Sequence, residues 1–184
     1  MAQNLPDPPI VNLSVTQNIP VANHVYKYLL AICGSDHIEA SRSTYIGSLI
    51  LSIQGRNYDV RIKKTQFTKF FRADINECYY EKTGLVITKE NAQLFNDQID
   101  QKFRDELYRN MLINDHLTET LFLKSMRRFL DLYQINEDDI KLETLYRDFK
   151  RKKDRLISNF NTISASGTNC EVSQSVPQKK QNKL

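Results

Sequence analysis

Between residues 88 and 113 the side chains Ala92, Phe95, Ile99, Phe103, Leu107 and Met111 recur at intervals of three or four positions, and this stretch restricts the fold more than any other. A helix of that period carries a broad apolar side, and such a side is stable only when other elements cover it. Thr88 stands where a hydroxyl can accept from the first free backbone N–H groups, so the helix is predicted to start there.

Upstream the period changes. Pro20 suits a first helical turn, and Val21, Val25, Tyr28, Leu29 and Ile32 follow at helical spacing as far as Gly34, predicting a helix over 20–33. Ser43 is placed to cap a second helix with Ile46, Leu49, Ile50 and Ile53 on its apolar side, weakened by Gly47 and ending before Gly55. Tyr58, Val60 and Ile62 then alternate with Asp59, Arg61 and Lys63, the pattern of a half-buried strand. RADINECYYE and the run LVI at 85–87, separated by KTG, are its expected partners in a small sheet.

Downstream the pattern is wholly helical. Phe122, Met126, Phe129, Leu130 and Tyr133 mark one helix over 119–134, and Leu142, Leu145, Tyr146, Phe149 and Leu156 mark another over 142–158. Joined by QINEDD, the two have helix-turn-helix proportions. The expected class is therefore α+β, a small antiparallel sheet with packed helices and a C-terminal helix pair. With 184 residues and 40% apolar content the chain can bury one core, assigned to 20–158. Residues 1–18, with Pro6, Pro8 and Pro9, are expected to form a flexible arm, and 161–184, ending QKKQNKL, a disordered basic tail.

No run approaches the roughly 20 apolar residues of a membrane span. MAQNLPDPPIVNL lacks the basic start and apolar middle of a secretory signal, so a cytoplasmic protein without membrane contact is expected. Cys33, Cys78 and Cys170 are odd in number and far apart, and are taken as free thiols.

Charge separates along the chain. Residues 20–71 carry seven Lys/Arg against three acids, 72–120 six against ten, and 141–155 seven against three. If Leu145, Tyr146 and Phe149 bury against Phe122, Met126 and Phe129, then Lys141, Arg147, Lys150, Arg151 and Lys153 fall on the outer side, where they can neutralise the phosphates of DNA or RNA. An αα-hairpin that merely closes the core, its cations solvated and favoured by the helix dipole, produces the same pattern. A second basic stretch, RNYDVRIKKTQFTKFFR over 56–72, interleaves Tyr58, Phe67, Phe70 and Phe71 with Arg61, Lys63 and Lys64. Single-stranded nucleic acids are bound by that mixture of rings and cations, although such rings more often pack into the core. A non-enzymatic nucleic-acid-binding accessory protein is the leading functional reading. The alternative is a structural or protein-interaction component, with a protein partner or a homo-oligomer ordered by its charge segregation.

Catalytic signatures are absent. His24, His37 and His116 are dispersed, and neither HExxH, GxSxG, a P-loop nor GxGxxG occurs, so no catalytic residue, metal ligand or cofactor is assigned. Glu137, Asp138 and Asp139 are too closely spaced for a Ca²⁺ loop and suit the N-terminus of the following helix. Asp97, Asp100 and Asp105 on the long helix would need further ligands to hold a metal.

The pattern FLDLYQINEDDIKLETLYRDFKRKK resembles the ends of small uncharacterised proteins of Bacteroidota genomes and their phages or mobile elements. It implies a phage or mobile-element setting, and it carries neither an activity nor functional residues.

Overall fold

Residues 13–56, 66–118 and 122–166 are described by the structure, a computed structural model. In chain order they form β1 (Ser14–Val21), α1 (Asn23–Cys33), β2 (His37–Glu39), α2 (Tyr45–Ser52), β3 (Lys69–Asn76), α3 (Glu77–Thr83), α4 (Lys89–Thr118), α5 (Phe122–Leu132) and α6 (Leu142–Ser166). The class is α+β. The chain divides into two compact units, Met1–Leu145 and Tyr146–Leu184.

The periodic helix is the spine of the first unit. The Thr88 hydroxyl accepts from Asn91 N at 3.2 Å, as the capping argument predicts. Ala92, Phe95, Ile99, Phe103, Leu107 and Met111 are all 0% exposed. Phe103 meets Tyr28 of α1 edge-on at 5.5 Å and Phe129 of α5 at 6.0 Å, while Tyr133 closes the group at 4.9 Å from Phe129 and 5.3 Å from Tyr28. One aromatic cluster therefore ties α1, α4 and α5, and such pairs add roughly 0.5–1.5 kcal/mol each beyond area burial. Asn96, buried on the same helix, accepts from Ala22 N at 2.8 Å and donates to Pro20 O at 3.0 Å and Ala92 O at 2.8 Å. It satisfies backbone groups where β1 turns into α1.

The sheet has the order β1-β3-β2. β1 runs antiparallel to β3, from Ser14↔Asn76 to Val21↔Lys69, and β2 runs parallel to it, from His37↔Arg72 to Glu39↔Asp74. The expected antiparallel sheet is thus a mixed one. HIE supplies only Ile38 as an inward residue, too short a run to show period two, and the connection through α2 returns the chain to β3 in the parallel sense.

Several boundaries differ from expectation for local reasons. Residues 14–18, assigned to the arm, and Pro20, assigned to a helix start, lie in β1, where Ile19 and Val21 are buried. Proline is tolerated there because β1 is an edge strand. α1 starts at Asn23 and ends at Gly34, whose φ of 70° provides the left-handed stop. Thr44 rather than Ser43 caps α2, accepting from Gly47 N at 3.1 Å. RADINECYYE is split: β3 ends at Asn76, whose side chain accepts from Cys78 N at 3.2 Å and starts α3. The run at 85–87 contributes one antiparallel bridge, Gly55↔Val86. The strand expected around Tyr58, Val60 and Ile62 lies outside the described residues.

α5 and α6 are joined by residues 133–141, longer than the roughly three to four residues of a helix-turn-helix turn. That connection is organised internally: Gln134 takes a φ of 53°, and Ile135 N donates to Leu130 O at 3.0 Å. Lys27 fixes it from α1, donating to Gln134 O at 2.8 Å and Asp139 Oδ2 at 2.5 Å. α6 continues through 161–166, which were expected to belong to the tail. In the second unit, Phe149 is buried and the helix is described as far as Ser166.

Candidate nucleic-acid interface

A helix exposes positions i, i+3, i+4, i+7 and i+8 along one side. In α6 that side carries Arg147, Lys150, Arg151 and Arg155, with Asp154 and Ser158 between or beyond them, and every one of these residues is exposed. Leu145 and Phe149, four apart, mark the buried side. The stripe follows from the sequence because Leu145 and Phe149 recur four apart on one side while cations recur at a helical interval on the other.

The pairing of Arg151 on it is weak. Arg151 Nη1 lies 3.8 Å from Asp148 Oδ1, with side chains 65% and 38% exposed. Such an exposed pair contributes about 0–1 kcal/mol and leaves the guanidinium able to exchange partners. The Lys150 ammonium lies 5.4 Å from the centre of the Tyr146 ring, within cation–π range. Guanidinium groups at this spacing can engage phosphate oxygens in bidentate fashion, and lysines can do so as point charges.

Arg147, Lys150 and Arg151 therefore share the stripe that the sequence predicts. Lys153 is half-buried and off it, and Lys141 is exposed just before α6, in the first unit. Arg155 was not anticipated, although its position four residues after Arg151 is the signal that places it. Arg61, Lys63 and Lys64 lie outside the described residues.

The second basic stretch contains residues with different orientations. Phe71 is fully buried in β3 whereas Phe70 is 54% exposed. Arg56 donates to the backbone carbonyls of Glu81 and Lys82 at the end of α3, and Arg72 pairs with Asp36 at 2.7 Å. Two of its cations thus have structural partners.

The acidic and histidine groups singled out in the sequence also hold the fold together. Asp100 accepts from Arg104 Nε at 2.7 Å and pairs with His24 Nε2 at 3.0 Å. Burial disfavours the Asp100 carboxylate, but the hydrogen bonds to His24 and Arg104 outweigh it and hold its pKa below the ordinary carboxylate value. Asp139 behaves alike: burial is overcome by the Asn136 N–H and Lys27, so it organises the 133–141 connection as well as preceding a helix. Asp74, held low by the Thr16 hydroxyl and by His37, joins all three strands. Among the described residues no three His, Cys, Asp or Glu side chains are grouped to hold a metal ion. Among the same residues no helix is long and apolar enough to cross a membrane.

Comparison of the chain with protein-family models, with curated proteins and with solved structures finds no match.

Proposed function

We propose that this is a non-enzymatic nucleic-acid-binding accessory protein of the cytoplasm that contacts phosphates through the exposed side of α6. The observation that carries the reading is the alignment of Arg147, Lys150, Arg151 and Arg155 on one exposed stripe. Composition supports it: Tyr146–Leu184 holds nine Lys/Arg against three acids, a surplus its own carboxylates are too few to neutralise. The resemblance of the C-terminal pattern supports a phage or mobile-element setting.

Binding of this kind releases condensed counterions, so its affinity must fall with salt. Fluorescence anisotropy with labelled duplex DNA, single-stranded DNA and RNA across a salt series provides the test. Four phosphate contacts on duplex DNA predict a log–log slope of about −3.6. Absence of binding to all three polymers at low salt would refute the proposal.

A second reading, a self-assembling component, is favoured by the charge difference between the units. Met1–Leu145 holds 17 Lys/Arg against 19 acids, opposite in sign to the C-terminal unit. Light scattering separates the two readings, since a stable oligomer indifferent to added nucleic acid supports assembly.

A further inference from the structure

In the first unit, α1, β2, α2 and α4 surround a cavity of about 320 Å³. We infer that it binds a small organic monocarboxylate with an apolar body, whose carboxylate meets Lys102. The volume is near the lower end of the range for small-molecule sites, which suits a short alkyl chain or a single ring rather than a long lipid. Ile32, Ile38, Ile46 and the Tyr45 ring provide apolar lining. Ile32 and Tyr45 remain 38% and 50% exposed, so large apolar side chains stand open at the cavity.

The cation of the lining is Lys102 of α4, half-buried in the cavity wall. Its ammonium is held 4.8 Å from the centre of the Tyr45 ring, a contact that positions it while leaving its hydrogen-bond donors available. Among the described residues it forms neither an ion pair nor a hydrogen bond. Two neighbouring acids face elsewhere. Glu106, one turn further along α4, faces the hydroxyls of Tyr28 and Tyr133. Glu39 follows Ile38 in β2, so strand alternation places its side chain on the opposite face of the sheet, with His37 and Asp74. A single cation beside an apolar wall is answered by a single negative charge on an apolar body. The lysine ammonium is a compact point charge that suits one carboxylate, whereas a dianion would keep one charge unanswered and an amine would bring a like charge to Lys102. This site lies within the first unit and does not depend on the nucleic-acid reading.

Isothermal titration calorimetry on the full chain compares octanoate and phenylacetate with their neutral amides, octanamide and phenylacetamide. At least one carboxylate should bind about tenfold or more tightly than its amide, because a hydrogen bond to a charged group is worth about that factor. Lys102→Gln should remove that preference. Placement is read on the parent protein, since Cys33 lines the cavity whereas Cys78 is exposed in α3. Burial pushes the Cys33 thiol pKa up, so alkylation by iodoacetamide is followed at alkaline pH, with the two sites resolved by peptide mass spectrometry. The carboxylate that binds should slow alkylation of Cys33 severalfold and leave that of Cys78 unchanged. Failure of both carboxylates to bind, equal binding of acids and amides, or a preference that survives Lys102→Gln overturns the inference. Alkylation of Cys33 at the same rate with and without saturating carboxylate overturns it as well.

Discussion

The two units use their charged residues differently. In Met1–Leu145 the charges nearly balance, and many polar groups pair across elements, His24 with Asp100, Lys27 with Asp139, His37 with Asp74 and Arg72 with Asp36, while Arg104 pairs with Asp100 within α4. In Tyr146–Leu184 basic residues outnumber acids threefold, and the exposed side of α6 presents four of them, Arg147, Lys150, Arg151 and Arg155, in a row. A cation with a nearby structural carboxylate helps hold the fold. A local surplus of cations gives a surface a positive potential that can attract a polyanion. The contrast predicts that substitutions in the first unit change stability, whereas substitutions on the stripe change binding.

The largest expected effect comes from the aromatic cluster. Phe103→Ala should destabilise the protein by about 3–5 kcal/mol, because Phe103 is fully buried between α1 and α5. Against a typical total of about 5–15 kcal/mol this is a large loss, to be measured by urea unfolding. A cost below 1 kcal/mol would mean that the cluster is not the core of the first unit.

Asn96→Ala follows, at about 1–3 kcal/mol, since it leaves the Ala22 N–H and the Pro20 carbonyl without their side-chain partner. Hydrogen exchange of the Ala22 amide offers a local check, with faster exchange expected even where the global change is small.

Acid should weaken the first unit through its paired carboxylates. Asp74, Asp100 and Asp139 have folded pKa values below the ordinary one, so their stabilisation is complete above the unfolded value of about 3.9 and is lost as pH falls through the lower folded values. Thermal unfolding between neutral pH and pH 2 should show Tm falling chiefly below about pH 4. Asp100→Asn should flatten that fall, and an unchanged acid slope in this variant would show that Asp100 does not contribute to it.

The parts of this design that could be read in the sequence are those with long repeats. The apolar side of α4 extends over enough turns to be unambiguous, and the buried positions it predicts are the observed ones. β1 was hidden because Val15, Gln17 and Ile19 lead into Pro20, whose effect depends on whether the strand is at an edge, which is set only by the sheet order. β2 was hidden because three residues cannot display a period. On α6 the spacing of Arg147, Lys150 and Arg151 was legible, but separating them from Lys153 required the exposure of each side chain, a property of the fold.

The smallest expected effect on stability belongs to the stripe, and it carries the central claim. Replacing Arg147, Lys150, Arg151 and Arg155 together with Gln should leave Tm nearly unchanged, since exposed polar substitutions usually alter stability by less than about 0.5 kcal/mol each. The most direct measurement is the affinity of this variant and of the parent for the same duplex DNA and RNA across a salt series. The account predicts weaker binding by the variant, with a salt slope on duplex DNA flatter by up to about 3.6 units. A folded variant whose affinity and salt slope equal those of the parent would contradict it.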